Sequence, residues 1–393
     1  MTRLIVPEDL FALAEAMREA SGEAAAVEIA GLGERATWGN PLPEDRIAIS
    51  TARLTGVVDY APDDMVVSAE AGLSLAALND LLSARGQVLP LEVPFPERTT
   101  LGGLVAAAPV PLARSGYGLV RDWLLGLEVA TSEGALVKSG ARVVKSVAGY
   151  DLCKLYAGSL GTLGAIARVT FRVRPVPETH SLLSARWTDA AGAETALAAI
   201  QTTALDPALA ILRCGRGGFE LVVGFDGSHE TVAWQCAEAA RLLGALGGAI
   251  SEPQAGEGAA SRRAALRDAL AGSPEASLVA RVSVLPSELL RFACEARAEG
   301  EALGVWCEAI AQAQQGTLWL SAEGGDWLGW VEAQRTRAHA LGGSLVIERS
   351  PAPERLDALG LDGTPLALMR RLKASLDPSG CLAPGRLWPL SVE

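Results

Sequence analysis

The sequence has few of the residues that build metal centres. Its 393 residues include three histidines and six cysteines. No two cysteines have a Cys-x-x-Cys spacing, and His180, His229 and His339 are far apart, so the usual patterns of zinc and iron–sulfur sites do not occur. We therefore predict no metal site, and we expect isolated thiols kept in a reducing compartment.

Long apolar runs and an excess of positive charge are also missing. No stretch approaches the roughly 18 uninterrupted apolar residues of a membrane span, and the N-terminus has no basic segment followed by an apolar run. We expect no transmembrane helix and no secretory signal, hence a cytoplasmic protein; peripheral attachment to the inner membrane through partner subunits stays open. The net charge of −12 argues against nucleic acid or an anionic membrane as the main partner.

Glycine is abundant, with 42 residues, many of them in short turns between apolar runs. The segment Ile29–Gly39 ends an apolar strand in Gly31-x-Gly33, where backbone amides can approach a pyrophosphate and Arg35 adds a positive charge. Taken alone, such a turn is more often an ordinary connection. It is not a Rossmann fingerprint, because the third glycine falls at Gly39 and no helix follows directly.

Two further segments combine glycine with polar side chains. Arg98–Ala108 has Thr99 and Thr100 before paired glycines and then a smooth alanine wall, which suits a flat ring or a tightly packed helix start. Arg114–Asp122 has Tyr117 flanked by two glycines, which suits a binding loop or a surface loop with a salt bridge.

The fourth segment, Val144–Ile166, is the most specific. It ends in Gly-Ser-x-Gly-Thr-Leu-Gly over residues 158–164, directly before a strand that begins at Ile166. Three glycines and two hydroxyl side chains within seven residues indicate backbone amides that meet a cofactor.

The second half has a different pattern of elements. Residues 181–252 predict the order strand, helix, strand, strand, helix, strand, and residues 276–349 repeat it. This predicts two ferredoxin-like βαββαβ halves that share one antiparallel sheet with helices on one face. Residues 254–275 between them fit a linker and a helix, and the prolines of Arg172–Glu178 mark the exit from the first domain.

In order and spacing, the four glycine segments resemble the FAD domain of the vanillyl-alcohol-oxidase, or PCMH-type, superfamily over about residues 20–180, and the tail Asp377–Arg386 adds a second anchor. The stretch Lys145–Gly164 is especially similar to the branch that oxidises 2-hydroxy acids, in particular to FAD-binding subunits of bacterial glycolate oxidases. The resemblance implies an α+β fold: a two-part FAD-binding domain (1–178), an antiparallel-sheet cap domain (179–360) and a C-terminal segment (361–393) that returns to the FAD domain.

The resemblance also implies which residues contact FAD. They are Gly31, Leu32, Gly33, Glu34, Arg35 and Ala36 at the pyrophosphate; Thr100, Gly102, Gly103 and Ala106 along the pyrophosphate and ring; Arg114, Gly116, Tyr117 and Gly118 beside the isoalloxazine; and Ser159, Gly161, Thr162, Gly164 and Ile166 at the ribityl or pyrimidine end.

Departures from the family pattern limit what the resemblance implies. The first loop has Arg35 and no histidine, and no cysteine lies between residues 98 and 122, so we expect FAD to be bound non-covalently. Ala383 stands where the family tail has asparagine. The cap lacks the clustered histidines with which relatives hold a metal and abstract a proton, so no catalytic base is assigned.

The favoured hypothesis is an FAD-binding subunit of a complex that oxidises glycolate or another 2-hydroxy acid, with a sister flavin dehydrogenase subunit and an iron–sulfur subunit as partners. One alternative is an autonomous flavin dehydrogenase with Tyr117 or Tyr150 as base; another is a flavin-free scaffold subunit. Candidate clamps for a substrate carboxylate are Arg114, Arg213, Arg281 and Arg349.

Overall fold

The computed structural model describes residues 2–23, 25–140, 151–361 and 363–390. Lys145 and Tyr150, which belong to the fourth glycine segment, lie outside the described residues. The chain forms two compact units. Unit 1 comprises Met1–Val110, Leu119–Val176 and Ala352–Glu393, and unit 2 comprises Pro111–Gly118 and Pro177–Pro351.

The elements alternate along the chain. The strands are β1 Thr2–Ile5, β2 Ala26–Ala30, β3 Arg46–Ser50, β4 Val57–Ala61, β5 Val66–Glu70, β6 Gln87–Val88, β7 Leu124–Ala130, β8 Leu136–Gly140, β9 Ala165–Arg172, β10 Arg174–Pro175, β11 Thr179–Trp187, β12 Leu209–Gly215, β13 Gly218–Gly227, β14 Ala249–Ile250, β15 Gln254–Ala255, β16 Leu278–Ser283, β17 Trp306–Gln312, β18 Thr317–Glu323 and β19 Ser344–Arg349. The helices are α1 Leu10–Gly22, α2 Leu75–Ser83, α3 Leu101–Ala107, α4 Arg114–Tyr117, α5 Val120–Trp123, α6 Leu152–Tyr156, α7 Ala190–Thr202, α8 His229–Ala245, α9 Gly256–Ala269, α10 Leu289–Ala302, α11 Trp327–Ala340 and α12 Gly363–Leu376.

Unit 1 contains two main sheets. A parallel sheet has the order β1-β3-β2, and an antiparallel sheet has the order β4-β5-β9-β7-β8. Helix α1 begins at Asp9, whose side chain accepts a hydrogen bond from the amide of Ala12, and its buried face includes Leu13 and Met17. That face packs in one core with Val27 and Ile49 of the parallel sheet, and Ala167 of the antiparallel sheet belongs to the same core. The two sheets are thus the two parts of one unit.

Local signals place several elements of this unit. Ser74 caps α2 by accepting from the amide of Ala77, a pattern that the sequence alone would indicate. Strands β7 and β8 form an antiparallel hairpin around residues 132–134. None of the helices in the described part of the chain is long and apolar enough to cross a membrane.

Unit 2 is built on one large sheet. The order is β14-β11-β13-β12-β17-β18-β16-β19, and β15 pairs with β11. In each half, the first of the four strands lies between the third and the fourth, and the two halves join through the second strands, β12 and β17. This is the predicted pair of ferredoxin-like halves in one antiparallel sheet, so the α+β fold is confirmed.

Alternation along the strands gives this sheet one apolar face. Ala185, Leu221, Leu212, Ala311 and Leu318 are cross-strand neighbours in five consecutive strands, and all are buried. Such a row is buried only if other elements pack on it. The helices α7, α8, α10 and α11 contact these strands or their neighbours.

Helix α9 belongs to the segment between the two halves that was predicted as a linker and a helix. Its Arg262 and Arg263 pair with Glu220 and Asp226. Because these two carboxylates alternate along β13 with buried apolar residues such as Leu221, α9 contacts the opposite face of the sheet.

The division into units also differs from the predicted boundaries at two places. Residues 111–118 belong to unit 2, because the side-chain amide of Gln312 donates to the carbonyl of Pro111 at 2.6 Å, and Arg114 Nη1 donates to Thr317 Oγ1 at 3.1 Å. Residues 352–360 belong to unit 1, where the amide of Ala358 donates to Asn40 Oδ1 at 2.7 Å.

Candidate functional site

The loop that follows β2 forms the first wall of a cleft in unit 1. Gly31 lies against Thr100 so closely that a Cβ atom would be 2.2 Å from Thr100 Oγ1. Gly33 has a φ of +78°, a conformation that side chains other than glycine rarely adopt. Among the described residues, none accepts a hydrogen bond from the amides of Leu32, Gly33 or Glu34. The amides of three residues that line the cleft therefore have no acceptor within the described part of the chain.

Helix α3 forms the second wall. Thr100 caps the helix, and its Oγ1 accepts from the amide of Gly103 at 3.2 Å. The amide of Gly102 donates to the carbonyl of Ala71 at 2.8 Å, so the protein itself already satisfies these amides. Helix α3 contributes to the cleft a backbone surface at Gly102, Gly103 and Ala106, where there is almost no side chain.

The third wall is the turn that leads into β9. It is bonded to α3, because the amides of Gly158 and Leu160 donate to the carbonyls of Val105 and Ala106. Leu160 lines the cleft with a φ of +51°, which is strained for a leucine. Such strain persists only where the surroundings fix the backbone, so this turn is a rigid part of the wall.

Together the three walls line one cleft. Thirteen of the predicted cofactor residues line it: Gly31, Leu32, Gly33, Glu34, Arg35, Ala36, Thr100, Gly102, Gly103, Ala106, Gly161, Gly164 and Ile166. Ser159 and Thr162 are buried behind the third wall.

The other four predicted residues, Arg114, Gly116, Tyr117 and Gly118, belong to unit 2. Tyr117 donates from its hydroxyl to Asp226 Oδ2 at 2.6 Å, and Arg263 donates to both oxygens of the same carboxylate. Burial raises the pKa of Asp226, but the hydrogen bonds and charge of Arg263 and the bond from Tyr117 outweigh it, so the pKa is below its ordinary value.

Charged side chains surround the first wall. Arg98 pairs with Glu34 at 2.7 Å, and Arg35 donates from Nη1 to Thr99 Oγ1 at 2.9 Å. Burial raises the pKa of Glu34 above its ordinary value, although Arg98 and Arg35 act in the opposite direction. Two guanidinium groups thus lie beside Glu34, a carboxylate that burial disfavours as an anion.

Arg386 of the C-terminal segment fixes the first loop from behind. Its Nη1 donates to the carbonyls of Ala36, Trp38 and Asn40 at 2.9, 3.0 and 3.3 Å, and its Nη2 donates to Glu28 at 3.4 Å. The side chain is 8% exposed. A buried guanidinium with several carbonyl partners holds these backbone segments in one arrangement.

Lys373 of α12 connects the same segment to the third wall. Its ammonium group donates to the carbonyls of Thr162 and Leu382 at 2.9 and 2.6 Å and pairs with the fully buried Asp377. Asp377 also accepts from the amide of Leu382 at 2.9 Å. Burial lowers the pKa of Lys373, although Asp377 acts in the opposite direction.

Among the described residues, no group of histidine, cysteine, aspartate or glutamate side chains could hold a metal ion. Burial raises the pKa of Cys153 to about 11 and the pKa values of Cys214 and Cys307 to about 12. These thiols remain protonated and unreactive at neutral pH.

Two family comparisons account for most of the chain. The FAD binding domain matches residues 1–140, and the C-terminal domain of FAD linked oxidases matches residues 187–348 and 357–387. The chain belongs to the PCMH-type FAD-linked oxidases. Members of this family are FAD-dependent oxidoreductases, and the cofactor of the family is FAD.

Individual relatives match part of this FAD-linked oxidase. Glycolate oxidase subunit GlcE of Escherichia coli is 35% identical over 167 residues, which are 42% of this chain and 47% of the relative. A mitochondrial D-lactate dehydrogenase [cytochrome] of Arabidopsis thaliana is 34% identical over 142 residues, which are 36% of this chain and 24% of the relative. The chain thus spans about half the length of the first relative and a quarter of the second.

A solved structure of alkyldihydroxyacetonephosphate synthase has the same fold. It covers 97% of this chain, and this chain covers 75% of it, with a TM-score of 0.74 and 17% sequence identity. At this identity the likeness shows the fold alone.

The residues of the cleft fit FAD in this FAD-linked oxidase. Ser159 Oγ, next to the lining residue Leu160 in sequence, is buried and has no hydrogen-bond partner among the described residues. The free amides of the first loop are suited to a pyrophosphate, and the surface of Gly102, Gly103 and Ala106 leaves room for a flat ring.

Sequence patterns missed several residues of the cleft. They are Glu28, Ile29, Ala30, Trp38, Thr51, Arg98, Thr99, Ala107, Leu160 and Arg386. Arg98 and Thr99 lie inside the predicted segment Arg98–Ala108, but the resemblance assigned cofactor contacts in it only to Thr100, Gly102, Gly103 and Ala106. Arg386 was noted as part of the tail anchor, but only the fold shows that its side chain holds the first loop.

Proposed function

We propose that the chain is the FAD-binding subunit of a complex that oxidises glycolate or a related 2-hydroxy acid, and that it holds FAD non-covalently for electron transfer. The observation that carries the proposal is the cleft of unit 1, in which a loop with free amides faces a glycine-rich helix surface. The similarity to glycolate oxidase subunit GlcE supports the choice of complex and of substrate class.

In this proposal the first loop and Arg35 bind the pyrophosphate. The amides of Leu32, Gly33 and Glu34 donate to its oxygens, and Arg35 contributes a charge whose position is fixed by Thr99. The glycine-rich surface of α3 excludes water from one side of the ring. Ser159 and the turn at Gly161 hold the ribityl or pyrimidine end.

When bound, FAD would accept one hydride, which carries two electrons, and the side chains of the protein cannot act as such an acceptor. The chain keeps the cofactor in place, while a sister flavin dehydrogenase subunit oxidises the 2-hydroxy acid and an iron–sulfur subunit receives electrons. The partners, and a cytoplasmic location with or without attachment to the inner membrane through them, are part of the proposal.

The experiment is reconstitution of the purified chain with FAD, followed by anaerobic addition of glycolate or D-lactate. We expect about one FAD per chain and no bleaching of the flavin absorbance until the partner subunits are added. Bleaching without partners would show an autonomous dehydrogenase. If the chain binds no FAD, both the FAD-binding subunit and the autonomous dehydrogenase are refuted, and the flavin-free scaffold subunit is the hypothesis that remains.

Non-covalent attachment has its own support and test. Among the described residues that line the cleft, none is a histidine or a cysteine, the residues to which related flavins are attached. Acid precipitation is expected to release all of the flavin into the supernatant. Flavin absorbance that stays with the precipitate would contradict the proposal.

The autonomous dehydrogenase remains the second candidate because of one contact. The hydroxyl of Tyr117 lies 2.6 Å from Asp226 Oδ2, and a tyrosine paired with a carboxylate can pass on a proton. If this candidate is correct, Tyr117→Phe abolishes flavin reduction by substrate in the isolated chain while FAD binding is unchanged. Tyr150, the other proposed base, lies outside the described residues.

A further inference from the structure

A second pocket lies at the turn of the β12–β13 hairpin in unit 2. It has a volume of about 340 Å³, and its lining comes from β11, β12, β13, β17 and the turn Gly215–Gly218. Its lining shares no residue with the FAD cleft, although Arg213 is one of the candidate clamps for a substrate carboxylate. Its notable property is positive charge in a chain whose net charge is −12.

The charge is concentrated around one buried carboxylate. Glu220 Oε1 accepts from Arg186 at 3.0 Å and from Arg262 at 2.7 Å, and Arg213 Nη1 lies 3.6 Å from Glu220 Oε2. The side chain of Glu220 is 10% exposed. Three guanidinium groups thus share one carboxylate, which can neutralise only one of them.

Two arginines in the lining keep their donors available. Among the described residues, none accepts a hydrogen bond from Arg213 or Arg216. The guanidinium of Arg216 is stacked on the ring of Trp306 at 3.9 Å from its centroid, and Glu220 lies beside Arg213. Both side chains are exposed at the pocket yet restrained on one side, which lowers the entropy cost of binding a ligand.

The balance of charge indicates the kind of ligand. Glu308 is the second carboxylate in the lining, so four guanidinium groups in and behind the pocket face two carboxylates. The remaining charge is about +2, which a dianion neutralises. A Cβ atom at Gly217 would have no other atom within 4 Å. The turn therefore leaves the approach to the arginines open.

We propose that this pocket binds a small phosphate dianion, either inorganic phosphate or the phosphate group of a monoester. Arg213 and Arg216 donate to the phosphate oxygens through their planar guanidinium groups, and Trp306 holds Arg216 in position. All of these residues belong to unit 2.

Calorimetric titration of the FAD-loaded chain with inorganic phosphate tests the proposal, with sodium chloride at equal ionic strength as blank. We expect saturable binding to one site with a Kd of about 1 mM or below. The double variant Arg213→Gln/Arg216→Gln is expected to raise the Kd at least about tenfold. Methyl phosphate in a parallel titration distinguishes the two sources, since tighter binding of the ester identifies a monoester.

Arg241→Gln is the matched control, because Arg241 is an exposed arginine of α8 outside the pocket, and it should leave the Kd unchanged. Flavin content and melting temperature show that each variant is folded, and Arg216→Gln alone serves if the double variant is not. Absence of saturation at about 20 mM phosphate, or a Kd that the arginine variants leave unchanged, would overturn the proposal.

Discussion

At the scale of single residues, the contact between Gly31 and Thr100 sets how close the first loop comes to α3. We expect Gly31→Ala to lower the free energy of unfolding by about 1–3 kcal/mol, because the new Cβ would overlap Thr100 Oγ1 at 2.2 Å. The same displacement should abolish FAD binding. Urea unfolding and flavin absorbance after reconstitution measure the two effects.

Gly258→Ala is the control for this substitution. Gly258 lies in α9, and a Cβ there would meet no atom within 4 Å, so the variant should gain up to about 1 kcal/mol from helix propensity and keep its FAD. If Gly31→Ala binds FAD like the wild type, the close approach to Thr100 does not shape the cofactor site.

Glu34 gives the cleft a pH dependence. Because burial raises its pKa, the folded chain keeps the proton at a pH where the unfolded chain has lost it. Its contribution to stability is therefore lost as pH rises from the ordinary glutamate value to the raised one. The same ionisation places a negative charge beside the proposed pyrophosphate site, so FAD affinity should fall as pH rises.

Glu34→Gln removes that charge. We expect about three- to tenfold tighter FAD binding at pH 7 and little change in affinity between pH 5 and 8, measured by quenching of flavin fluorescence. Glu19→Gln, at an exposed position of α1, should behave like the wild type. Weaker binding by Glu34→Gln would mean that Glu34 chiefly positions Arg98.

At the scale of elements, the buried pair of Lys373 and Asp377 joins α12 to the third wall. Lys373→Met should destabilise the chain by about 3–5 kcal/mol, because Asp377 would remain fully buried without its cation. Flavin content should fall as well, since the ammonium group no longer holds the carbonyl of Thr162. Thermal unfolding and flavin absorbance measure both.

The double variant Lys373→Met/Asp377→Asn separates charge from packing. An asparagine oxygen can still accept from the amide of Leu382, and no charge is left unpaired. We expect it to recover more than half of the lost stability. A double variant as unstable as Lys373→Met would show that the lysine contributes through its packing or its carbonyl contacts.

The elements were predictable wherever the signal is local. The Ser74 cap of α2, the hairpin of β7 and β8 and the repeated strand and helix order of unit 2 depend on residues close in sequence. The position of Arg386 behind the first loop depends on residues about 350 positions apart, as the separation to Ala36 shows. No periodicity in the sequence encodes such a contact.

At the scale of the whole molecule, the boundaries were the least predictable feature. Residues 111–118 look like part of a continuous series of glycine segments, yet their hydrogen bonds to Gln312 and Thr317 tie them to unit 2. Glycine content indicates where a backbone can come close to another group, but the identity of that group follows from the tertiary fold. Most of the predicted residues of the first, second and fourth segments line one cleft for the same reason.

The net charge of −12 affects how FAD reaches the chain. The pyrophosphate of FAD is a dianion, so long-range repulsion should slow association at low ionic strength, and salt should screen it. We expect the association rate constant, measured by stopped-flow fluorescence, to rise several-fold between about 10 and 150 mM salt, with a nearly constant dissociation rate constant. An association rate constant that falls with salt would show that the local field of Arg35 and Arg98 outweighs the charge of the whole chain, because screening would then remove an attraction.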